Sequence, residues 1–244
     1  MIHREHCTLR AFLLVVLILV VLGCDSPVTT DAEPVDESYA TDDAWQSLFD
    51  GESLDGWRGF RLAGLPAGWS VESGVIHFAP PEEGERADLI TEEQYQNFEL
   101  SLEWAVSAGA NSGIFFHVDE DHGRSYETGP EVQILHNAGH HDGEQAITSA
   151  GSNYALHSPG EDITRPVGEF NEARLLVDGD RVTQWLNGTK QVEYTLWDDD
   201  WKALVAASKF ASMPDYGLKR TGHIALQDHG DEIWFRNLKI RRLP

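Results

Sequence analysis

The chain has 244 residues, of which 41 are Asp or Glu and 18 are Lys or Arg, so its formal net charge is −23 at pH 7. Because a nucleic-acid-binding surface needs basic residues that release phosphate counterions, this composition excludes nucleic acid as a partner. Hydrophobic residues make up 41% of the chain, which is enough for a sizeable core.

The first 23 residues have the pattern of an export signal. Basic residues precede an apolar run from Ala11 to Leu22, which is shorter than the roughly 20 residues that span a bilayer. The sequence Val21-Leu22-Gly23-Cys24 resembles a bacterial lipobox. That resemblance implies that Cys24 is lipidated, and an ordinary secretory signal is the alternative. We therefore expect a protein exported to the bacterial cell envelope, on its periplasmic or surface face, with acyl chains that anchor it in the membrane.

Residues 24–44 contain seven acidic residues and no Lys or Arg, which predicts a flexible acidic tether after the lipidated cysteine. The only cysteines, Cys7 and Cys24, both precede residue 45. The expected folded domain, residues 45–244, therefore has no thiol. This excludes a disulfide framework, a cysteine nucleophile and a thiolate metal site.

Residues 45–244 have the pattern of one all-β domain. Apolar and polar residues alternate in short runs, and Asp178-Gly179 and Asn187-Gly188 are typical of hairpin turns. The predicted strands are Phe98–Trp104, Gly113–Val118, Glu131–Leu135, Ala173–Val177, Arg181–Asn187, His223–Gln227 and Ile233–Ile240. We expect a sandwich or jelly roll of two antiparallel sheets. One peripheral helix is predicted over Asp198–Phe210, capped by one of its first two aspartates.

Polar residues two positions apart on a strand share one face of the sheet. Three such pairs are expected on a solvent face that lines a groove: Glu131 with Gln133, Phe115 with His117, and Gln227 with His229.

A set of motifs in a fixed order covers nearly all of residues 45–244. The set comprises Ser47–Gly51 with Leu54–Trp57, Trp69–Ile76, Phe98–Leu100 with Glu103-Trp104, Asn111–Phe116, Glu131–Leu135, Trp185–Gly188, and Gly222–Gly230 with Phe235–Asn237. Together they resemble the 3-keto-disaccharide hydrolase domain family. Two departures, His136-Asn137 and Gly129-Pro130, affect the expected shape of the pocket.

The resemblance implies a concanavalin-like, laminin-G-like jelly roll that cleaves 3-keto-glycosides or 3-keto-disaccharides. A ketone at C3 acidifies the proton at C2, so its removal allows the group on C1 to leave, and water can then add. This route needs a base near C2, a donor for the enolate oxygen and an acid for the leaving oxygen.

Candidate residues can be named for each role. His229 is the favoured base because imidazole titrates near neutral pH, with Glu131 as the rival base and Gln133 as a partner that binds hydroxyls or holds the histidine. Arg174, Arg236 or Lys209 could polarise the ketone. The remaining candidates for substrate binding are Glu103, Asn111, Phe115, His117, Gln227, Asp228 and Trp234. Each of these residues also has a plain structural interpretation, as an ion pair, a core aromatic or a surface side chain.

His136, His140, His141 and Asp142 form a cluster on a glycine-containing segment. Histidine and carboxylate groups could hold a divalent metal, but the adjacent histidine pair lacks the spacing of a metal motif, so a flexible loop is the favoured interpretation. No cofactor is assigned.

Two other functions stay open. A direct glycoside hydrolase would use two carboxylates, for example Glu103 and Glu131, at about 5–5.5 Å or 6.5–9.5 Å. A non-catalytic carbohydrate-binding module would bind unmodified glycans without turnover.

Overall fold

The computed structural model describes residues 45–244. The predicted signal segment, the tether and Cys24 lie outside the described residues. Within the described range, no helix is both long enough and apolar enough to cross a bilayer.

Thirteen strands form two antiparallel sheets. They are β1 (Gln46–Ser47), β2 (Trp57–Gly59), β3 (Trp69–Glu72), β4 (Val75–Phe78), β5 (Leu89–Thr91), β6 (Phe98–Val106), β7 (Asn111–Val118), β8 (Glu131–Leu135), β9 (Asn171–Asp178), β10 (Arg181–Leu186), β11 (Thr189–Thr195), β12 (His223–Leu226) and β13 (Ile233–Arg242). The larger sheet has eight strands in the order β11-β10-β9-β6-β13-β4-β3, with β1 also paired to β13. The smaller sheet has the order β2-β5-β12-β7-β8. The all-β sandwich predicted from the sequence is confirmed.

The tight turns follow from residues that tolerate left-handed backbone. Asn187 and Gly188 both have positive φ, 48° and 78°, and connect Leu186 directly to its partner Thr189. Ser73 and Gly74 connect β3 to β4 in the same way. This turn geometry matches the twist of the flanking strands and fixes their register.

The core lies between the two sheets and is built from alternate residues of each long strand. On β6, Phe98, Leu100, Leu102 and Trp104 point into it, whereas Glu99 and Glu103 point outward. A second, smaller apolar cluster covers part of the outer face of the five-stranded sheet, and comprises Phe60, Ile90, Phe115, Val118 and Ala225. Polar side chains on the outer face of the five-stranded sheet therefore lie next to this smaller apolar cluster.

Helix α1 (Asp199–Ala207) is the single α-helix of the described residues and agrees with the predicted helix. The Asp198 side chain accepts a hydrogen bond from the Trp201 amide and caps the helix. Trp201 belongs to a column of stacked rings, which we call the aromatic ladder: His157, Tyr194, Trp201, Tyr216 and Phe210. A 3₁₀ turn, Lys209–Ser212, follows the helix, so the ladder fixes the segment that carries Lys209.

Candidate functional site

The floor of the candidate site is the outer face of β7 and β8. Glu131 pairs with Phe115 across the two strands, and Gln133 pairs with Gly113. The Glu131 side chain lies over Gly113, where a methyl group would overlap its carboxylate, so the glycine is required for this placement. The amide of Gln227 donates to the carbonyl of Gly113 at 2.9 Å, which brings Gln227 alongside.

Glu131 is the most strongly perturbed acid on this face. Glu131 is only 6% exposed. Its carboxylate forms no hydrogen bond or ion pair with any of residues 45–244. Burial raises the pKa of Glu131 to about 8, the charge of Lys209 opposes this rise, and the charges of Asp88 and Asp142 add to it. Such a pKa near neutrality suits a group that takes up and returns a proton.

Two glutamines on this face of the sheet carry unpartnered amide oxygens. The Oε1 atoms of Gln133 and Gln227 are buried and have no hydrogen-bond partner among the described residues. Buried polar atoms are nearly always hydrogen-bonded in folded proteins. The two glutamines therefore leave acceptors free for the hydroxyl groups of a ligand.

One wall of the site is made by the segment that follows β8. The amide of Tyr154 donates to the Glu131 carbonyl at 3.1 Å, and the Tyr154 hydroxyl donates to Asp142 Oδ2 at 3.3 Å. Lys209 Nζ lies 4.1 Å from the centre of the Tyr154 ring. Burial lowers the pKa of Lys209, and the charges of Glu131 and Asp142 oppose this. The result is a cation held beside a buried acid.

The rim of the site carries two histidines. The rings of His140 and His229 are 6.0 Å apart, and His229 Nδ1 lies 3.5 Å from Asp231 Oδ2. Asn111 joins the two sides of the rim: its side-chain amide donates to Asp142 at 3.3 Å, and its backbone amide donates to Asp231 at 3.1 Å. The side chain of His229 is 46% exposed, so it is open to solvent, unlike Glu131.

A cleft of about 740 Å³ extends from the rim over the same sheet. Its lining includes Gln227, Asp228 and His229 together with Asp88, Arg124 and Tyr126. Burial raises the pKa of Asp88 to about 6. Asp228 is fixed by its ion pair with Arg86. The cleft meets the rim of the site at His229.

The structure therefore brings together seven of the residues predicted from the sequence. Glu131, Gln133 and Lys209 lie at the floor and wall, Asn111 and His229 lie at the rim, and Gln227 and Asp228 line the cleft.

Four predicted residues lie elsewhere, on the outer face of the eight-stranded sheet. Arg236 forms an ion pair with Glu103 at 2.7 Å, and Arg174 forms one with Glu99. Trp234 stacks on His77 at 5.2 Å. These side chains are on the opposite side of the sandwich from Glu131. The prediction that Glu103, Arg174, Arg236 and Trp234 bind the substrate with Glu131 is wrong, because alternation along a strand does not reveal which sheet the strand joins.

Two further predictions are wrong for local reasons. Phe115 is on the predicted face, but it is fully buried in the small apolar cluster and cannot stack on a sugar. His117 has a φ of 54° at an irregularity between β7 and β12. Its ring turns inward to contact Phe98 and the carbonyl of Gln96.

Two members of the site carry no recognisable signal in the sequence. Tyr154 reaches it through a segment that pairs with β8, and Asp88 reaches it from the residue just before the short β5. Neither stands in an alternating run. For Asp142, the sequence indicates only its membership of the histidine cluster.

Comparisons with known proteins identify the family of the domain. The model of the 3-keto-alpha-glucoside-1,2-lyase-like domain matches residues 44–241. A 3-keto-disaccharide hydrolase of Bacteroides thetaiotaomicron is 33% identical over 230 residues, which cover 82% of this chain and 79% of that protein.

Solved structures show the same fold. A candidate glycosyl hydrolase from Parabacteroides distasonis is 33% identical with a TM-score of 0.76, over 83% of this chain and 95% of that one. A second from the same species is 28% identical with a TM-score of 0.62, over 82% and 99%. A galectin-like protein of Bacillus subtilis, 14% identical with a TM-score of 0.51 over 81% and 94%, shares the fold alone. Because the domain match spans most of the sequence, the chain belongs to the 3-keto-alpha-glucoside-1,2-lyase-like family.

Proposed function

We propose that this protein cleaves the glycosidic bond of 3-keto-glycosides or 3-keto-disaccharides by proton abstraction at C2, elimination and hydration. The observation that carries the proposal is the buried Glu131 carboxyl with a pKa raised to about 8, beside Lys209 and among free amide acceptors. Family membership and the 3-keto-disaccharide hydrolase relative support the substrate class.

Glu131 is the base in this proposal. A carboxylate that is stripped of hydrogen bonds and desolvated is a stronger base than one in water, and proton transfer from carbon needs such a base. His229, the base favoured by the sequence, is half exposed at the rim and paired with Asp231, so it suits a role at the cleft.

Lys209 stabilises the enolate. When the proton leaves C2, negative charge develops on the oxygen at C3. A partly buried ammonium group beside Glu131 offers a fixed positive charge for that oxygen. The same charge favours the ionised form of Glu131 before the reaction.

The leaving group occupies the cleft lined by His229. The bond between C1 and its oxygen breaks, the electron pair passes to that oxygen, and His229 supplies it with a proton. The product left at the floor has a double bond between C1 and C2. Water then adds across it: its hydroxide joins C1, its remaining proton goes to His229, which had given its own proton to the leaving oxygen, and the proton held by Glu131 returns to C2.

The test uses a 3-keto-glucoside in two forms, one with hydrogen and one with deuterium at C2. We expect turnover by the unaltered protein with a primary isotope effect on kcat/KM, and loss of at least about 100-fold in kcat for Glu131→Gln, the range of a lost general base. His229→Ala should slow substrates with sugar leaving groups much more than those with a nitrophenol.

Three results would contradict the proposal. Cleavage without a primary isotope effect would indicate direct hydrolysis with two carboxylates. Tight calorimetric binding of unmodified glycans without turnover would indicate a carbohydrate-binding module. Full activity of Glu131→Gln would remove Glu131 as the base.

A further inference from the structure

We propose that a groove on the outer face of the eight-stranded sheet, on the opposite side of the sandwich from Glu131, binds neutral oligosaccharides. The groove has a volume of about 670 Å³, close to that of the cleft that His229 lines. A smaller depression of about 60 Å³ extends it, and Glu172 lines both. We call the two together the second groove. The inference goes beyond the proposed reaction and does not depend on it, because the second groove and Glu131 belong to different sheets.

The second groove follows one row of paired residues across the sheet. Trp185 of β10 is paired with Arg174 of β9, which is paired with Ser101 of β6. Ser101 is paired with Lys239 of β13, and Lys239 is paired with β1, which Trp45 precedes. Neighbouring strands are about 4.8 Å apart, so the row from β10 to β1 is about 19 Å long. A tryptophan therefore lies at each end of a row that is long enough for several sugar rings.

The two tryptophans are half-buried at the protein surface. The residues on either side of Trp185 in β10 are buried in the core, so its own side chain lies on the outer face. The guanidinium group of Arg174 lies 4.2 Å from the centre of the Trp185 ring, and Lys239 Nζ lies 5.1 Å from that of Trp45. These cation–π contacts restrict the orientation of the rings, which reduces the entropy lost when a ligand binds. Flat apolar rings held in this way suit packing against the C–H face of a sugar.

The surface between the tryptophans offers hydrogen-bonding groups that have no partner. Among the described residues, the side chains of Ser101, Glu172 and Lys239 form no hydrogen bond or ion pair. Glu103, which also lines the groove, is held by two hydrogen bonds at 2.7 and 2.8 Å. A free hydroxyl, a free carboxylate and a free ammonium group can both donate to and accept from the hydroxyl groups of a carbohydrate.

The charges of the second groove favour an uncharged ligand. Its lining has three acidic and two basic residues, which are Asp50, Glu103, Glu172, Arg174 and Lys239. The two signs are interspersed, so a polymer of either charge finds no patch of opposite sign here. A neutral carbohydrate needs aromatic surface together with donors and acceptors, and the groove provides all three.

The experiment titrates the full chain in a calorimeter with three hexasaccharides of glucose, linked α-1,4, β-1,4 and β-1,3. Trp185→Ala and Glu172→Ala are the test variants. The matched control is Trp234→Ala, which removes another half-buried tryptophan from the outer face of the same sheet, where it stacks on His77 outside the groove. Glu131→Gln reports on binding at the proposed catalytic site.

We expect one molecule of at least one hexasaccharide to bind per chain, with an affinity that falls at least about tenfold in Trp185→Ala. In Glu172→Ala the affinity should fall at least about threefold, the effect of one lost hydrogen bond. Binding should be unchanged in Trp234→Ala and Glu131→Gln. Turnover of a 3-keto-glucoside with one sugar ring should be unchanged in Trp185→Ala, so loss of glycan binding is distinguishable from failure of the proposed reaction.

Glu172 is exposed, so its variant tests the proposal even if the loss of Trp185 disturbs the sheet. The proposal is overturned if none of the hexasaccharides binds, or if both test variants bind as tightly as the unaltered protein. It is also overturned if Trp234→Ala weakens binding as much as Trp185→Ala does. Loss of binding in Glu131→Gln would overturn it too, because the glycan would then occupy the catalytic site.

Discussion

At the scale of single residues, the raised pKa of Glu131 suits proton transfer but lowers the stability of the folded protein as the pH rises. Its pKa in the folded state, about 8, is above the ordinary value of 4.5. The folded protein therefore holds a proton that the unfolded chain releases between these pH values. The stability associated with this group is full below about pH 4.5 and falls as the pH rises to 8, by on the order of 4 kcal/mol.

We expect Glu131→Gln to remove this pH dependence. The variant should match the unaltered protein in free energy of unfolding near pH 4.5 and exceed it near pH 8, while losing activity. Urea denaturation at both pH values measures the difference. A variant that is less stable at pH 8 would mean that the ionised carboxylate is well solvated or paired in the folded protein.

The same residue shows what sequence can and cannot reveal. Glu131 and Gln133 were identified because polar side chains recur at the period of a strand. His229 was ranked above Glu131 because an ordinary imidazole titrates near neutral pH and an ordinary carboxyl does not. Once the burial of Glu131 is known, Glu131 ranks above His229 as the base. That burial depends on Lys209, Tyr154 and Gly113, which come from three separate parts of the chain.

At the scale of elements, the helix that precedes Lys209 depends on its cap. Asp198 Oδ1 accepts the Trp201 amide at 2.7 Å, and Trp201 is buried in the aromatic ladder. We expect Asp198→Ala to lower the free energy of unfolding by about 1 kcal/mol, the usual cost of a lost cap. It should also lower kcat, because Lys209 follows the helix directly.

The control is Asp200→Ala, in the first turn of the same helix but without a capping bond. We expect Asp200→Ala to lower both the free energy of unfolding and kcat less than Asp198→Ala does, as measured by denaturation and kinetics. Equal losses would show that the cap does not position Lys209.

Elements were predictable where they were long or ended in a specific turn. Glu131–Leu135 and the Asn187-Gly188 turn are as predicted, because the strand alternates fully and the turn residues accept positive φ. The strands β1, β2 and β5 have two or three residues, too few to show a period, and pairing with neighbours defines them.

At the scale of the whole molecule, the two outer faces have different chemistry. Burial would raise the pKa of Glu103, but hydrogen bonds from Asn237 and Arg236 outweigh it and lower the pKa. Glu131, on the other face, has no such donors. We therefore expect Glu103→Gln to reduce stability above pH 5 while kcat/KM stays within about twofold, since the residue is far from the site in the fold. A loss of activity as large as that of Glu131→Gln would show that Glu103 takes part in the reaction.

The arrangement of the sheets is the part that sequence could least reveal. Alternation tells which side chains leave the core, but both sheets have an outer face, and Glu103 and Glu131 have equivalent patterns. The long-range pairing of β6 with β13 and of β7 with β12 decides between them. The export signal, the tether and lipidation at Cys24 stay predictions.

The seclusion of Glu131 has a consequence for the fate of atoms during turnover. A carboxyl group that water reaches poorly exchanges its proton with the solvent slowly. If Glu131 takes deuterium from C2 of the substrate, we expect that deuterium to be returned to C2 of the product. It should be returned on the face of the sugar that lies towards β8.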